Sequence, residues 1–109
     1  MPFLYYAGMA ADRHTEQIGL AVSTDGRTFE RVHGSGLIVP RLPAVPWKAL
    51  RTCNPTVIRF QGRWLMFYQG VGRGAAAGEL THSIGLARLV SSILDVEMLE
   101  AKDLSLAQL

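Results

Sequence analysis

The chain has 109 residues, enough for one small domain, and its 49% hydrophobic and 18% charged content marks it as globular rather than disordered. Eleven Lys plus Arg against nine Asp plus Glu leave a net charge of +2, and the scattered basic residues form no phosphate-tracking stripe, so no nucleic-acid partner is expected. A single cysteine, Cys53, excludes an intrachain disulfide, and no stretch approaches the roughly 18 apolar residues of a membrane span.

The apolar start, Met1 to Ala11, has no basic n-region and centres on Tyr-Tyr-Ala-Gly, so it reads as mature structure and favours a cytoplasmic protein over a secreted one. Phe3–Met9 reads as a buried strand ending near a glycine. The polar stretch 10–17 reads as a loop, and 18–23 as the next strand. Ser23-Thr24-Asp25-Gly26 has turn chemistry, with Asp opening the turn and Gly free to take positive φ; a structural role is expected for Asp25. Residues 28–32 alternate as a half-exposed edge strand does. Residues 33–52 hold Pro40, Pro43 and Pro46 and no helical period, so a long connection is expected, with an extended piece at Leu37–Val39. Then come a strand at 56–60 that Cys53 leads into as a buried, inert thiol, a Gln61-Gly62 turn and a strand at 63–70. A Gly/Ala-rich loop at 71–82 and a strand at 83–89 follow. In the tail, a strand at 96–99 is preferred over a short helix.

Two segments repeat. Ile18-Gly19-Leu20-Ala21 recurs as Ile84-Gly85-Leu86-Ala87, 66 positions on; the pattern of Phe3-Leu4-Tyr5-Tyr6-Ala7-Gly8 recurs as Leu65-Met66-Phe67-Tyr68-Gln69-Gly70, 62 positions on. The four-residue difference is expected in the loop between them. A long period built from short strands points to blades of a β-propeller. The expected fold is all-β: a partial β-propeller of roughly two four-stranded antiparallel blades, the first (1–39) lacking its inner strand, then a connection (40–52), a second blade (53–100) and a tail (101–109). Antiparallel alternation places the long polar loops on one face and the minimal turns on the other, and binding sites favour the long-loop face.

Asn54-Pro55-Thr56-Val57-Ile58, Gly62-Arg63-Trp64, Phe67-Tyr68-Gln69-Gly70, Ile84-Gly85-Leu86-Ala87 and, in the first copy, Ile18–Ser23 with Asp25-Gly26 and Phe29 together resemble the five-bladed β-propeller glycosidases, glycoside hydrolase families 32, 43, 62, 68 and 130. The resemblance covers residues 3 to about 100 and is carried mostly by scaffold positions. It implies carbohydrate as the partner and carboxylates from different blades meeting in a central funnel, one as general acid and another as base or nucleophile. An acid usually opens the inner strand. Here that position is Asn54, which can hydrogen-bond a sugar hydroxyl but cannot act as a general base.

On the long-loop face, Glu79 is the candidate general acid. Asn54, Arg73, His82, Asp12 and Arg13 are candidate sugar contacts, and Trp47 a candidate stacking platform. His14 and His82 fall in equivalent loops, but no His-x-x-x-His or Glu-x-x-His spacing supports a metal, and no cofactor is expected. The glycines around Arg73 lack the Lys-Ser/Thr ending of a phosphate-binding loop and read as a flexible loop. Tyr5, Tyr6, Trp64, Phe67 and Tyr68 are expected in the inter-blade core. Three readings stay open: a piece of a longer glycosidase whose acids lie elsewhere, a small lectin-like protein whose copies assemble to close a propeller, and a non-catalytic structural remnant.

Overall fold

The computed structural model describes residues 3–12, 15–32, 34, 36–89 and 96–98. Those residues are all-β, with one short 3₁₀ turn at Pro46–Lys48. The strands are β1 (Phe3–Met9), β2 (Glu16–Val22), β3 (Glu30–Arg31), β4 (Leu37–Val39), β5 (Arg51–Phe60), β6 (Arg63–Arg73), β7 (Leu80–Leu89) and β8 (Val96–Met98). They form one open, mixed network in which a single parallel pair, Glu16 with Arg51, joins two antiparallel sheets. The first sheet is β1–β2 with β3 and β4 on the far edge of β2; the second is the meander β5–β6–β7–β8.

The register explains the repeat. Tyr6 pairs with Gly19 and Tyr68 with Gly85. In both cases the tyrosine ring lies across the bare Cα of its partner. A Cβ on Gly19 would sit 2.5 Å from Tyr6 Cζ, and one on Gly85 would fall among the ring carbons of Tyr68. Only glycine allows this cross-strand contact, which is why the aromatic and the Ile-Gly-Leu-Ala segments recur together.

The four-residue difference between the copies does not enlarge the loop. β1 and β2 end their pairing at Met9–Glu16, whereas β6 and β7 continue past the equivalent Val71–His82 pair through Gly72–Thr81 to Arg73–Leu80. Both loops are then closed alike, Ala10 N–H donating to the Thr15 carbonyl and Gly74 N–H to the Glu79 carbonyl, each at 2.8 Å. The stretch expected as a loop at 71–82 is therefore a longer hairpin with its bend at 74–79, and Glu16 and Gln17 likewise belong to β2.

Other boundaries shift for local reasons. The outer strand of the first sheet is split, because β3 and β4 both pair antiparallel with β2. The β2 register shifts between Ile18 and Gly19, and Gly36 N–H donates to the Val32 carbonyl at 2.7 Å. The extended piece at Leu37–Val39 thus belongs to the first sheet. β5 starts at Arg51, ahead of the expected 56, and absorbs Asn54-Pro55 as a bulge between Cys53 and Thr56. Gln61 (φ 51°) and Gly62 (φ 76°) make a two-residue hairpin of the kind that needs positive φ at both positions. β8 lies on the outer edge of β7, as β3 does on β2; its expected last residue, Leu99, is outside the described residues.

The two sheets stack face to face. Ile18, Leu20, Val39, Met66, Tyr68 and Ala87 form the buried cluster between them, with Tyr5, Val57 and Leu89 at its margin. Strand alternation sends Tyr5 toward the second sheet and Tyr6 away from it, whereas the equivalent Tyr68 points back toward the first sheet. The sheets therefore repeat in the same rotational sense rather than as mirror faces. Trp64 departs from the expected core: it is exposed at one mouth of the inter-sheet crevice, with the Arg59 guanidinium 5.7 Å from its ring centroid. Phe67 and Tyr6 lie half-buried on outer faces, and Tyr5 is half-buried between the sheets, where burial pushes its hydroxyl pKa up.

Gly85→Ala is expected to lower the unfolding free energy by about 1–3 kcal/mol, because Tyr68 is buried and has nowhere to move. Gly19→Ala should cost less, since Tyr6 is half-exposed and can swing. Urea denaturation midpoints of the two variants check the order.

Candidate functional site

The register puts the loops at 10–15 and 74–79, the start of β5 and the Pro46–Lys48 turn at one end of both sheets, and the Gln61-Gly62 turn at the other. Asp25 belongs to the end away from the long loops. Its Oδ1 accepts from the backbone N–H of Arg27 and Thr28 at 2.8 Å each and from Ser23 Oγ at 3.0 Å. Those hydrogen bonds, the Thr28 and Arg27 amides first, hold its carboxyl below the usual range. It is a turn residue, consistent with the role its sequence context gives it.

At the long-loop end, one hydrogen-bonded row crosses three strands. Asn54 Nδ2 on β5 donates to Gln69 Oε1 on β6 at 3.0 Å, and Gln69 Nε2 meets His82 Nδ1 on β7 at 3.0 Å. The bulge makes this possible. Asn54 sits at φ 53°, a left-handed conformation that Asn tolerates better than most residues. A bulge there redirects its side chain onto the row. Gln69 lies between Cys53 on one side and Ile84 on the other. The row floors a shallow groove of about 350 Å³ lined also by Thr56, Phe67, Ser83 and Ile84. Its lining holds amide, hydroxyl and imidazole groups beside apolar ones, and no carboxylate.

Cys53 Sγ donates a second, weak hydrogen bond to Gln69 Oε1 at 3.3 Å. The thiol is buried. Burial, then the Glu16 carboxylate, push its pKa up, with Arg51 acting in the opposite direction. It accords with the inert thiol expected from the sequence.

The other expected site residues are placed apart from the groove. Trp47 is on the opposite face of the second sheet. Its ring stacks on Tyr68 at 6.1 Å between centroids and covers the bare Cα of Gly70. Gly72, two residues on, clears the carbonyl of Pro46 in the same way. Gly70 and Gly72 are thus strand glycines that seat the Pro46–Lys48 turn rather than part of a flexible loop, and Gly74 lies just past the end of β6. Arg73 itself is exposed at the end of β6. Glu79 is exposed in the hairpin bend, its carboxylate lying against the Cα of Gly74 and its N–H donating to the Ala76 carbonyl at 3.0 Å. Asp12 caps the equivalent bend, accepting from Thr15 N–H at 2.8 Å and Thr15 Oγ1 at 2.7 Å. Arg13 and His14 lie outside the described residues. Of the residues singled out in the sequence, the structure brings Asn54 and His82 together.

Two residues that sequence reasoning passed over are central. Gln69 links the row; the available signal was a polar side chain in the middle of an otherwise apolar strand. Lys48 is buried, its Nζ donating to Tyr68 Oη at 3.0 Å and lying 4.9 Å from the Trp47 ring centroid. Nothing in the Pro-rich connection marks that lysine as internal. Among the described residues no group of three or more His, Cys, Asp or Glu is arranged to hold a metal. No protein family, curated protein or solved structure matches the chain.

The Gln69 amide is oriented by its Asn54 and Cys53 donors, so its Nε2 must donate to His82 Nδ1. The neutral imidazole is therefore expected as the Nε2–H tautomer, which ¹⁵N chemical shifts report directly, and Gln69→Leu should release that preference. Alkylation of Cys53 in the folded protein should require higher pH than in the urea-unfolded chain, because the raised pKa keeps the thiolate scarce; parallel pH–rate profiles of the two states check this.

Proposed function

We propose that the chain forms two neighbouring blades of a β-propeller resembling those of five-bladed glycosidases, and that its groove binds a carbohydrate without hydrolysing it. The observation that carries this reading is the Asn54–Gln69–His82 row beside Phe67 and Ile84. A sugar presents hydroxyls on its rim and C–H groups on its faces, so its sites combine a few fixed polar groups with apolar surface. Amide and imidazole side chains both donate and accept, which suits hydroxyls that do the same.

Hydrolysis needs a second kind of geometry: two carboxylates about 5–10 Å apart across the scissile bond. Asp12 is held in its turn, Glu79 lies against its own hairpin bend, and Asn54 takes the place of the inner-strand acid. The same-sense stacking of the two sheets and the matched Tyr–Gly pairs support the propeller part of the proposal. The piece-of-a-glycosidase and lectin-like readings share this site and differ only in what surrounds it.

A glycan array followed by titration calorimetry tests the proposal. Binding is expected, with no release of nitrophenol from aryl-glycosides. Gln69→Leu should weaken affinity about tenfold, equivalent to about 1.4 kcal/mol, while leaving the melting temperature near that of the parent. Glu79→Gln should bind as the parent does. Undiminished binding by the Gln69 variant would move the site elsewhere.

A further inference from the structure

The two sheets differ at one position that the repeat makes equivalent. On the second sheet, Tyr68 lies over Gly85, and beside it the Trp47 ring rests on the bare Cα of Gly70. The Trp47 and Tyr68 centroids are 6.1 Å apart and their planes 29° from parallel. On the first sheet, Tyr6 lies over Gly19, and Gly8 is the counterpart of Gly70. Among the described residues no ring covers Gly8 as Trp47 covers Gly70. A Cβ there would meet only the Tyr6 ring, at 3.4 and 3.7 Å. The space that the second sheet fills is, on the outer face of the first, an open groove of about 260 Å³ walled by Tyr6 and Leu37.

Two further differences decide what fits there. Gly72, which clears the Pro46 carbonyl, has Ala10 as its counterpart, and Ala10 lines the groove. Its methyl removes the clearance that a Pro-Trp-Lys turn needs, while Gly8 keeps the seat for a ring. The cation also comes from a different place. On the second sheet it is Lys48, delivered next to the ring, its Nζ donating to Tyr68 Oη at 3.0 Å. On the first it is Arg31 of β3, the one charged residue among the described residues that line the groove. The Arg31 stem and the Tyr6 hydroxyl converge on Gly36, where an added Cβ would lie 3.1 Å from Arg31 Cβ and collide with Tyr6 Oη. A seat that already holds a guanidinium suits an anion rather than a second cation, and the planar fork of arginine matches a carboxylate.

We propose that the groove over Gly8 is a binding site for a small, free aromatic carboxylate. Its flat ring rests on the Gly8 Cα beside Tyr6, and its carboxylate pairs with Arg31. Aromatic pairs favour offset or tilted arrangements, and the fold already makes one of that kind at Trp47 and Tyr68. The groove lies on the opposite side of the stacked sheets from the Asn54–Gln69–His82 row. It is therefore separate from the carbohydrate reading and stands whether or not that reading does.

Titration of the full chain with indole-3-acetate, followed by proton NMR and calorimetry, tests it. The indole ring current is expected to move the Gly8 Hα resonances upfield in a saturable way and to leave those of Gly85 in place. Gly8→Ala should melt as the parent does, because its Cβ makes only ordinary contact with Tyr6. Its methyl nevertheless occupies the seat, so affinity should fall about tenfold. Arg31→Gln, at an exposed side chain, should also weaken indole-3-acetate about tenfold, through loss of the charged hydrogen bonds. It should narrow the preference over tryptamine, which has the same ring but carries an ammonium. A parent with no saturable Gly8 shift overturns the proposal, as does Gly8→Ala binding at the level of the parent. Tighter binding of tryptamine, or of the peptide acetyl-Pro-Trp-Lys-amide, than of indole-3-acetate would overturn it too.

Discussion

The fold depends on a tyrosine ring laid across a glycine on the neighbouring strand. Tyr6 over Gly19 and Tyr68 over Gly85 fix the register of β1 on β2 and of β6 on β7. Slipping either pair by one residue would drive the ring into a side chain and turn every apolar residue of the strand to the wrong face. Once the rings are set, Tyr5 and Leu20 must face one way and Met66 and Ala87 the other, and the buried cluster between the sheets follows. Tyr68 has a second task. Its hydroxyl accepts a hydrogen bond from buried Lys48, and Trp47 stacks on its ring, so the 3₁₀ turn leading into β5 is anchored to the same residue.

The candidate site inherits its geometry from this register. With Tyr68 committed to the inner face, Gln69 must point to the outer one, between Cys53 and Ile84. The β5 bulge then turns Asn54 toward it, and the two extra residue pairs of the longer hairpin keep His82 in the strand rather than in a bend. A loop at 71–82 would have left that imidazole without a fixed neighbour. The row is accordingly a product of strands, which hold side chains more rigidly than loops do.

Much of this was legible in the sequence. The doubled Ile-Gly-Leu-Ala with its aromatic partner gave the strands, their order and the end at which the long loops gather. Asn54 and His82 both stand out in the sequence as candidates on the long-loop face, though not their link through Gln69, because Gln69 stands inside a motif that reads as scaffold. Glycine caused the main misreading. Gly70, Gly72 and Gly74 resemble a flexible loop in one dimension, but Gly70 and Gly72, two apart in β6, make one smooth face that receives Trp47 and Pro46, and Gly74, just past the strand end, receives the Glu79 side chain. By residue type Trp47 suits a sugar platform, because aromatics stack on rings of either kind; its partner is Tyr68. The burial of Lys48 had no local signal, since it depends on a ring brought from 20 residues away.

The most direct measurement of the repeated tyrosine-on-glycine pairing is the proton chemical shift of the glycine Hα atoms. A ring stacked over a Cα shields its protons, so the Hα resonances of both Gly19 and Gly85 are expected well upfield of those of turn glycines such as Gly26 and Gly62. Replacing Tyr6 or Tyr68 by leucine should return only the partner glycine to its ordinary position. Ordinary Hα shifts at Gly19 and Gly85 in the folded parent would contradict the account, because the rings would then not lie where both sheets require them.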